Sequence, residues 1–319
     1  MEKTLTVSVA AYNVEKYLEK TLNSIMLSGV LGDMEVIVVN DGSKDGTAAI
    51  AEKFVQKDPD SFKIINKNNG GWGSTVNAAI EAATGKYFKL LDGDDWFETE
   101  NLAEFIDKLK NSECDAVLTD FTKYFDSGES PVRITLGYPT NDVFAPDKIT
   151  DIAMHALTVK TEVLKKNGVK LLEHCFYTDL EFFIRSVSAA ETIIYYPICV
   201  YCYRLGRDGQ SVSVKSVLKH IDEHEKVMKT VIPLITSSKK LGNLINKASR
   251  LAESHIYYLA AIKPSKEVKA RIKNYGRFIK NDSPVVYKNM SLKYRLVVGA
   301  PYFLYAYVSN KKRKELNLD

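Results

Sequence analysis

The feature that constrains this chain most is an alternation that runs through its first hundred or so residues. Short apolar runs, rich in β-branched side chains, are each followed by a stretch with helical spacing. TLTVSVAAY precedes VEKYLEKTLNSIM, MEVIVVND precedes a helix over about Thr47 to Lys57, and FKIINK leads through NNGGWGS into a helix near Thr75–Ala83. YFKLL runs into DGDDW, after which Thr99 is placed to cap the helix NLAEFIDKLK. Strands this short and apolar suit a sheet buried on both faces, and helices between them imply parallel crossovers. The pattern predicts an α/β fold, a Rossmann-like and mostly parallel sheet flanked by helices. Such sheets bind ligands at the carboxyl ends of their strands.

The residues expected at those ends are polar, acidic or glycine. They are Ala11-Tyr12-Asn13 after the first strand, Asn40-Asp41-Gly42-Ser43 after the second, Asn68 to Ser74 after the third, and Asp92-Gly93-Asp94-Asp95-Trp96 after the fourth. Three carboxylates crowded at one strand end repel one another unless a cation joins them, and a hard divalent ion with oxygen ligands resolves the conflict. Asp41 is placed to accept hydrogen bonds from a base or ribose, and Tyr12 offers a flat face for a base. The glycines of NNGGWGS let backbone approach a phosphate closely. Trp96 either stacks on a sugar face or packs inward.

Taken together, SVAAYNVEKYLEKTLNSI, EVIVVNDGSKDGT, INKNNGGWGSTVNAAIEAATGKYFKLLDGDDW and FYTDLEFF resemble the family 2 glycosyltransferases of the GT-A fold, in order and over roughly residues 4–213. The resemblance implies an inverting hexosyl-type transfer from a nucleotide-diphosphate sugar, usually UDP-linked, to a glycan or lipid-linked acceptor hydroxyl, helped by Mn2+ or Mg2+. It carries nucleotide-sugar contacts onto Ala10, Tyr12, Asp41 and Asp92, with Gly71 and Gly93 beside them, and metal coordination chiefly onto Asp94. The general base falls on Asp179, with Glu173 and Glu181 as weaker candidates. Asp179 also sits in the first turn of a helix that Thr178 is placed to cap, where a carboxylate is favoured by the dipole. Asn40 stands where family members often have aspartate, and the glycine loop lacks the basic residue that some members carry. In LGRDGQSVS, Arg207 is placed to reach a diphosphate or an acceptor.

The length of 319 residues exceeds one ordinary core, so the chain is expected to divide into a catalytic domain, 1–213, and a helical C-terminal region, 214–319, with a basic amphipathic tail. The net charge is +4, yet residues 288–319 hold seven Lys/Arg against two Asp/Glu, which leaves the rest at −1. Basicity confined to the tail gives no reason to expect a nucleic-acid partner. The tail joins Leu296–Val308 to Lys311, Lys312, Arg313 and Lys314. That combination suits either a docked helix or an interfacial anchor on anionic lipid.

A start without signal features, and four cysteines, lead to the expectation of a cytoplasmic chain, peripheral at most to the inner face of a membrane. Cys199 and Cys202 fall on a strand three residues apart, a spacing that points them to opposite faces. His220 to His224 match H-x-x-E-H, a zinc-peptidase signature, inside what looks like a charged solvated helix. Two rival functions are a metal-dependent phosphohydrolase and a catalytically silent nucleotide- or glycan-binding module. In a phosphohydrolase the D-x-D pair would follow the first strand, not the fourth.

Overall fold

The apolar runs become β1 (Leu5–Ala11), β2 (Met34–Asn40), β3 (Phe62–Asn66) and β4 (Tyr87–Asp92). In the computed structural model, which describes residues 3–150, 152–206, 214–316 and 318, these strands lie parallel in the order β3-β2-β1-β4. Every residue of β2 is buried and β1 is buried except Ala10, as a sheet covered on both faces requires. The crossovers are α1 (Leu18–Met26), α2 (Thr47–Lys57) and α3 (Trp72–Ala82), and α4 (Leu102–Asn111) follows the two-residue strand β5 (Trp96–Phe97). The apolar stripe of α4, Leu102, Phe105, Ile106 and Leu109, recurs at three- and four-residue spacing and is buried.

Several helix starts differ from the sequence expectation, α1 beginning at Leu18 rather than Val14. Helix α3 begins at Trp72 rather than near Thr75, so the end of the glycine loop is already its first turn. Thr99 does not cap α4; it opens a 3-10 turn, and its hydroxyl donates to Ser24 O at 3.0 Å.

The sheet then continues through β6 (Ala116–Phe125), β7 (Val132–Ile134), β8 (Val143–Phe144), β9 (Leu157–Lys160) and, after α5 (Thr161–Lys166) and α6 (Thr178–Ala189), β10 (Ile193–Leu205). Strand β9 lies between β4 and β6 and runs antiparallel to both, while β10 is parallel to β6. The full order is β3-β2-β1-β4-β9-β6-β10-β5, with β7 and β8 paired at its margin.

By internal contacts the chain forms two units, Met1–Pro146 with Ile152–Gly209, and Asp147–Asp151 with Gln210–Asp319. The described part of the second is helical: α7 (Val214–Lys219), α8 (Ile221–Ser237), α9 (Ile245–Ala261), α10 (Lys266–Asp282), α11 (Pro284–Asn289), α12 (Leu292–Gly299) and α13 (Tyr302–Glu315). Ser265 caps α10 by accepting from Val268 N, and Pro284 opens α11 where its missing N–H costs nothing.

The H-x-x-E-H segment does not gather around a shared centre. His220 pairs with Glu223, whereas His224 is buried with its Nδ1 2.9 Å from Nδ1 of His255 on α9. Burial, then the neighbouring His255, lowers the His224 pKa from 6.5 to about 3. The folded state therefore prefers neutral His224, and this stability is fully present above pH 6.5 and lost as pH falls from there towards 3. At pH 5 the penalty is about 2 kcal/mol. Urea unfolding at pH 7.5 and pH 5 should show that loss in the wild type and a smaller one in His224→Gln. Equal losses would place the acid sensitivity elsewhere.

Candidate active site

The carboxyl ends of the four parallel strands are level. Ala10 stands opposite Asp92 across β1 and β4, Ala11 opposite Asn40 across β1 and β2, and Asn40 opposite Asn66 across β2 and β3. Tyr12, half exposed, projects just beyond β1. Gly93 follows Asp92 because nothing larger fits: a Cβ there would lie 2.8 Å from Ala10 O, to which its own N–H donates.

Asp41 is buried and ties the glycine loop to the sheet. Its Oδ1 accepts from Gly70 N and Lys67 Nζ, each at 2.8 Å, and its Oδ2 from Gly71 N at 2.8 Å. Gly71 takes φ +82°, a left-handed conformation that suits glycine. A base or ribose contact at Asp41 must therefore share an oxygen with these donors. Lys67, one residue past β3, supplies the cation that the glycine loop lacks in sequence.

The same loop reaches the acidic turn. Trp72 Nε1 donates to Asp92 Oδ1 at 2.7 Å, so one indole joins the third strand end to the fourth. Thr21 on α1 holds the turn from behind, its hydroxyl 2.6 Å from Asp95 O and 3.0 Å from Gly93 O. Asp95 is almost completely buried; its Oδ2 accepts from Tyr201 Oη at 2.6 Å and its Oδ1 from Arg204 N at 2.8 Å. Burial, then repulsion from Asp92 and Asp94, pushes the Asp95 pKa well above the usual carboxylate range despite these bonds. Tyr201 is raised well above its ordinary value by burial and by Asp95 and Asp92, so it stays a hydrogen-bond donor.

His155 completes this cluster from a distant part of the chain. It sits on the 3-10 turn Met154–Ala156 just before β9, stacked on Tyr203 with ring centroids 4.2 Å apart. Asp92, Asp95 and His155 offer ligand atoms that all lie within 4.8 Å of one another. His155 Nδ1 is buried with no hydrogen-bond partner among the described residues, and burial, then Lys89 and Lys123, lowers the ring's pKa to about 3, so the imidazole is neutral and able to ligate. Lys89, fully buried in β4, fastens this turn by donating to His155 O at 2.8 Å. The sequence expectation for an ion names Asp94, whereas the grouped ligand atoms are those of Asp92, Asp95 and His155, the last of which sequence reasoning did not single out. Asp94 is on the same turn, where its carbonyl accepts from Arg204 Nε at 3.1 Å.

Asp179 lies exposed in the first turn of α6. Tyr203 connects it to the acidic turn: after burial, the charges of Asp95, Asp92, Asp179 and Asp94 all raise that tyrosine's pKa. Thr178 does not cap the helix as expected; it is the first helical residue, preceded by Tyr177 in a left-handed conformation. Glu181 is fully buried and structural, accepting from Leu172 N at 2.9 Å and Arg185 Nε at 2.8 Å. Glu173 is exposed and bonded to Asn77. Trp96 is occupied on its faces, with Lys20 Nζ 3.1 Å from the ring centroid and Tyr124 at 4.8 Å, an arrangement of the packing kind. Arg207 lies outside the described residues; Arg204 is the nearest described cation in sequence and touches the acidic turn directly.

A cavity of about 270 Å3 opens elsewhere on the first unit, beside Lys108, Arg133 and Tyr196. Arg133 is committed there to buried Asp120 at 2.7 Å, and the cavity lacks the convergent carboxylates of the strand ends. The strand-end rim is the better candidate.

Residues 6–168 match the family model for glycosyl transferase family 2. The chain belongs to glycosyl transferase family 2. Among its relatives, EpsH of Bacillus subtilis, named as a glycosyltransferase, is 34% identical over 127 residues, 40% of this chain and 36% of EpsH. GgaB of Bacillus subtilis, a minor teichoic acid biosynthesis protein, is 28% identical over 269 residues, 80% of this chain and 28% of GgaB. The chain thus spans well under half the length of either relative. S. aureus TarS residues 1–349, solved with UDP-GlcNAc, superposes with a TM-score of 0.74 at 19% identity over 98% of this chain and 91% of that one. At that identity the likeness establishes the GT-A fold.

Proposed function

We propose that the first unit of this family 2 member is a catalytic domain that transfers a sugar, with inversion, from a nucleotide-diphosphate donor to an acceptor hydroxyl. The donor is UDP-linked and the acceptor a glycan or lipid-linked glycan of cell-surface polysaccharide synthesis. The observation that carries this reading is the convergence of ligand atoms of Asp92, Asp95 and His155 at the strand-end rim, on the turn that also carries Asp94. UDP-GlcNAc bound to TarS and the teichoic acid role in the name of GgaB support the donor and acceptor class.

In this reading Tyr12 and Asp41 receive the base and ribose, and the backbone of Gly71 and Gly93 lets the diphosphate approach closely. Asp92, Asp95 and His155, with Asp94 on the same turn, would hold Mn2+ or Mg2+. Such an ion supplies charge neutralisation for the departing diphosphate. Asp179 accepts the acceptor hydroxyl's proton as the oxygen attacks the anomeric carbon.

Calorimetric titration of UDP in the presence of manganese tests the cation's place. Chelator should weaken binding at least tenfold and His155→Ala should reduce the metal's effect. UDP affinity that is independent of metal would contradict the role of this cluster.

The silent-module reading keeps the same rim without turnover. Asp179, whose charge acts on Tyr203 together with those of Asp92, Asp94 and Asp95, favours chemistry over mere binding. The phosphohydrolase reading loses its usual geometry, because Asp92 stands at the end of β4 and not of β1.

A further inference from the structure

Seven of the thirteen large hydrophobic side chains exposed among the described residues fall between Leu292 and Val308, on α12 and α13. These two helices are apolar on two sides. One side is docked: Val298 packs against Gly276 on α10, where a Cβ would lie 2.4 Å from its Cγ1, and buried Ser309 donates to Ala260 O at 2.8 Å. The other side is open, with Phe303 69% and Tyr307 72% exposed and Leu292, Leu296 and Leu304 beside them in sequence. An exposed apolar face beside a docked one calls for apolar material of its own.

The order of residues along the open stripe of α13 indicates which material. Phe303, Tyr307 and Lys311 follow at i, i+4 spacing and Lys314 comes one turn later, so the stripe passes from aromatic to cationic. Lys311, Lys314 and Lys293 on α12 are exposed and have no acidic partner among the described residues. Apolar side chains next to unpaired lysines, with tyrosine between, match the sequence of layers from acyl chain to anionic headgroup. No helix among the described residues is long and apolar enough to cross a membrane.

We infer that the open face of α12 and α13 is a docking surface for a lipid bilayer rich in anionic headgroups, and that these helices lie in the interface without crossing it. This surface belongs to the second unit and the strand-end rim to the first, so the inference stands whether or not the proposed transfer reaction does.

The test is sedimentation of the full chain with phosphatidylcholine vesicles, with and without phosphatidylglycerol. Binding should require phosphatidylglycerol and weaken with salt. Lys311→Gln with Lys314→Gln should weaken it about thirtyfold, two charges at about 1 kcal/mol each. Phe303→Ser with Tyr307→Ser should abolish it with an unchanged circular dichroism spectrum, because both side chains are exposed. Equal binding to both vesicle types, or variants that bind like the wild type, would overturn the inference. So would a dimer in light scattering that the aromatic pair of substitutions converts to monomer, since the face would then belong to a second copy.

Discussion

Asp179→Asn is expected to cut sugar transfer by about a hundredfold or more while leaving the fold and nucleotide affinity nearly unchanged. The side chain is exposed in the first turn of α6, where the helix dipole favours a carboxylate by about 0.3–1 kcal/mol. Asparagine keeps the shape but loses the charge and the capacity to take a proton. The check is the transfer rate beside UDP affinity and thermal unfolding for the same variant. A rate loss matched by an equal loss of UDP affinity would make Asp179 a binding residue. A near wild-type rate would move the base to exposed Glu173, since Glu181 is buried and committed to Arg185.

Gly73→Ala is expected to destabilise the first unit although it improves helix propensity. In an open helix the change would stabilise by about 1 kcal/mol. Here a Cβ would lie 2.2 Å from Leu172 O. That carbonyl has little room to retreat, because Leu172 N is held by Glu181 and Leu171 N by Asn77 Oδ1, both within 2.9 Å. Overpacking of this kind costs about 3 kcal/mol, so the clash outweighs propensity and the net loss is about 2 kcal/mol. The affected contact joins the helix that carries the glycine loop to the segment that leads into Asp179, so donor binding should weaken together with stability. A raised denaturation midpoint for Gly73→Ala would show that this close approach does not exist in solution.

Much of this architecture was legible in the sequence because its signals are local. Each apolar run ended near a turn residue at the strand end, so Ala11, Asp41 and Asp92 could be assigned to one rim from sequence alone. Helix starts were less legible. Thr99 and Thr178 look like caps, but a 3-10 turn and a left-handed Tyr177 take those positions, since tertiary contacts outweigh a capping bond worth about 1 kcal/mol. His155 was invisible for a different reason. It reaches the acidic turn only because β9 inserts antiparallel beside β4, and a pairing across some seventy residues leaves no local pattern. Lys67 could have been found: it directly follows an apolar strand, one position before the glycine loop, and it neutralises Asp41. The basic tail was recognised from composition, whereas its division into a docked face and an open face needed the packing of Val298 and Ser309.

The most direct measurement is product analysis after incubating the chain with manganese and a panel of nucleotide-diphosphate sugars, UDP-GlcNAc among them, with chromatographic detection of nucleotide and sugar. The account predicts release of a nucleoside diphosphate with the sugar moved to acceptor or water, lost on chelation and lost in Asp179→Asn. Nucleotide that binds while every donor stays intact, or release of inorganic phosphate in place of a nucleoside diphosphate, would contradict it.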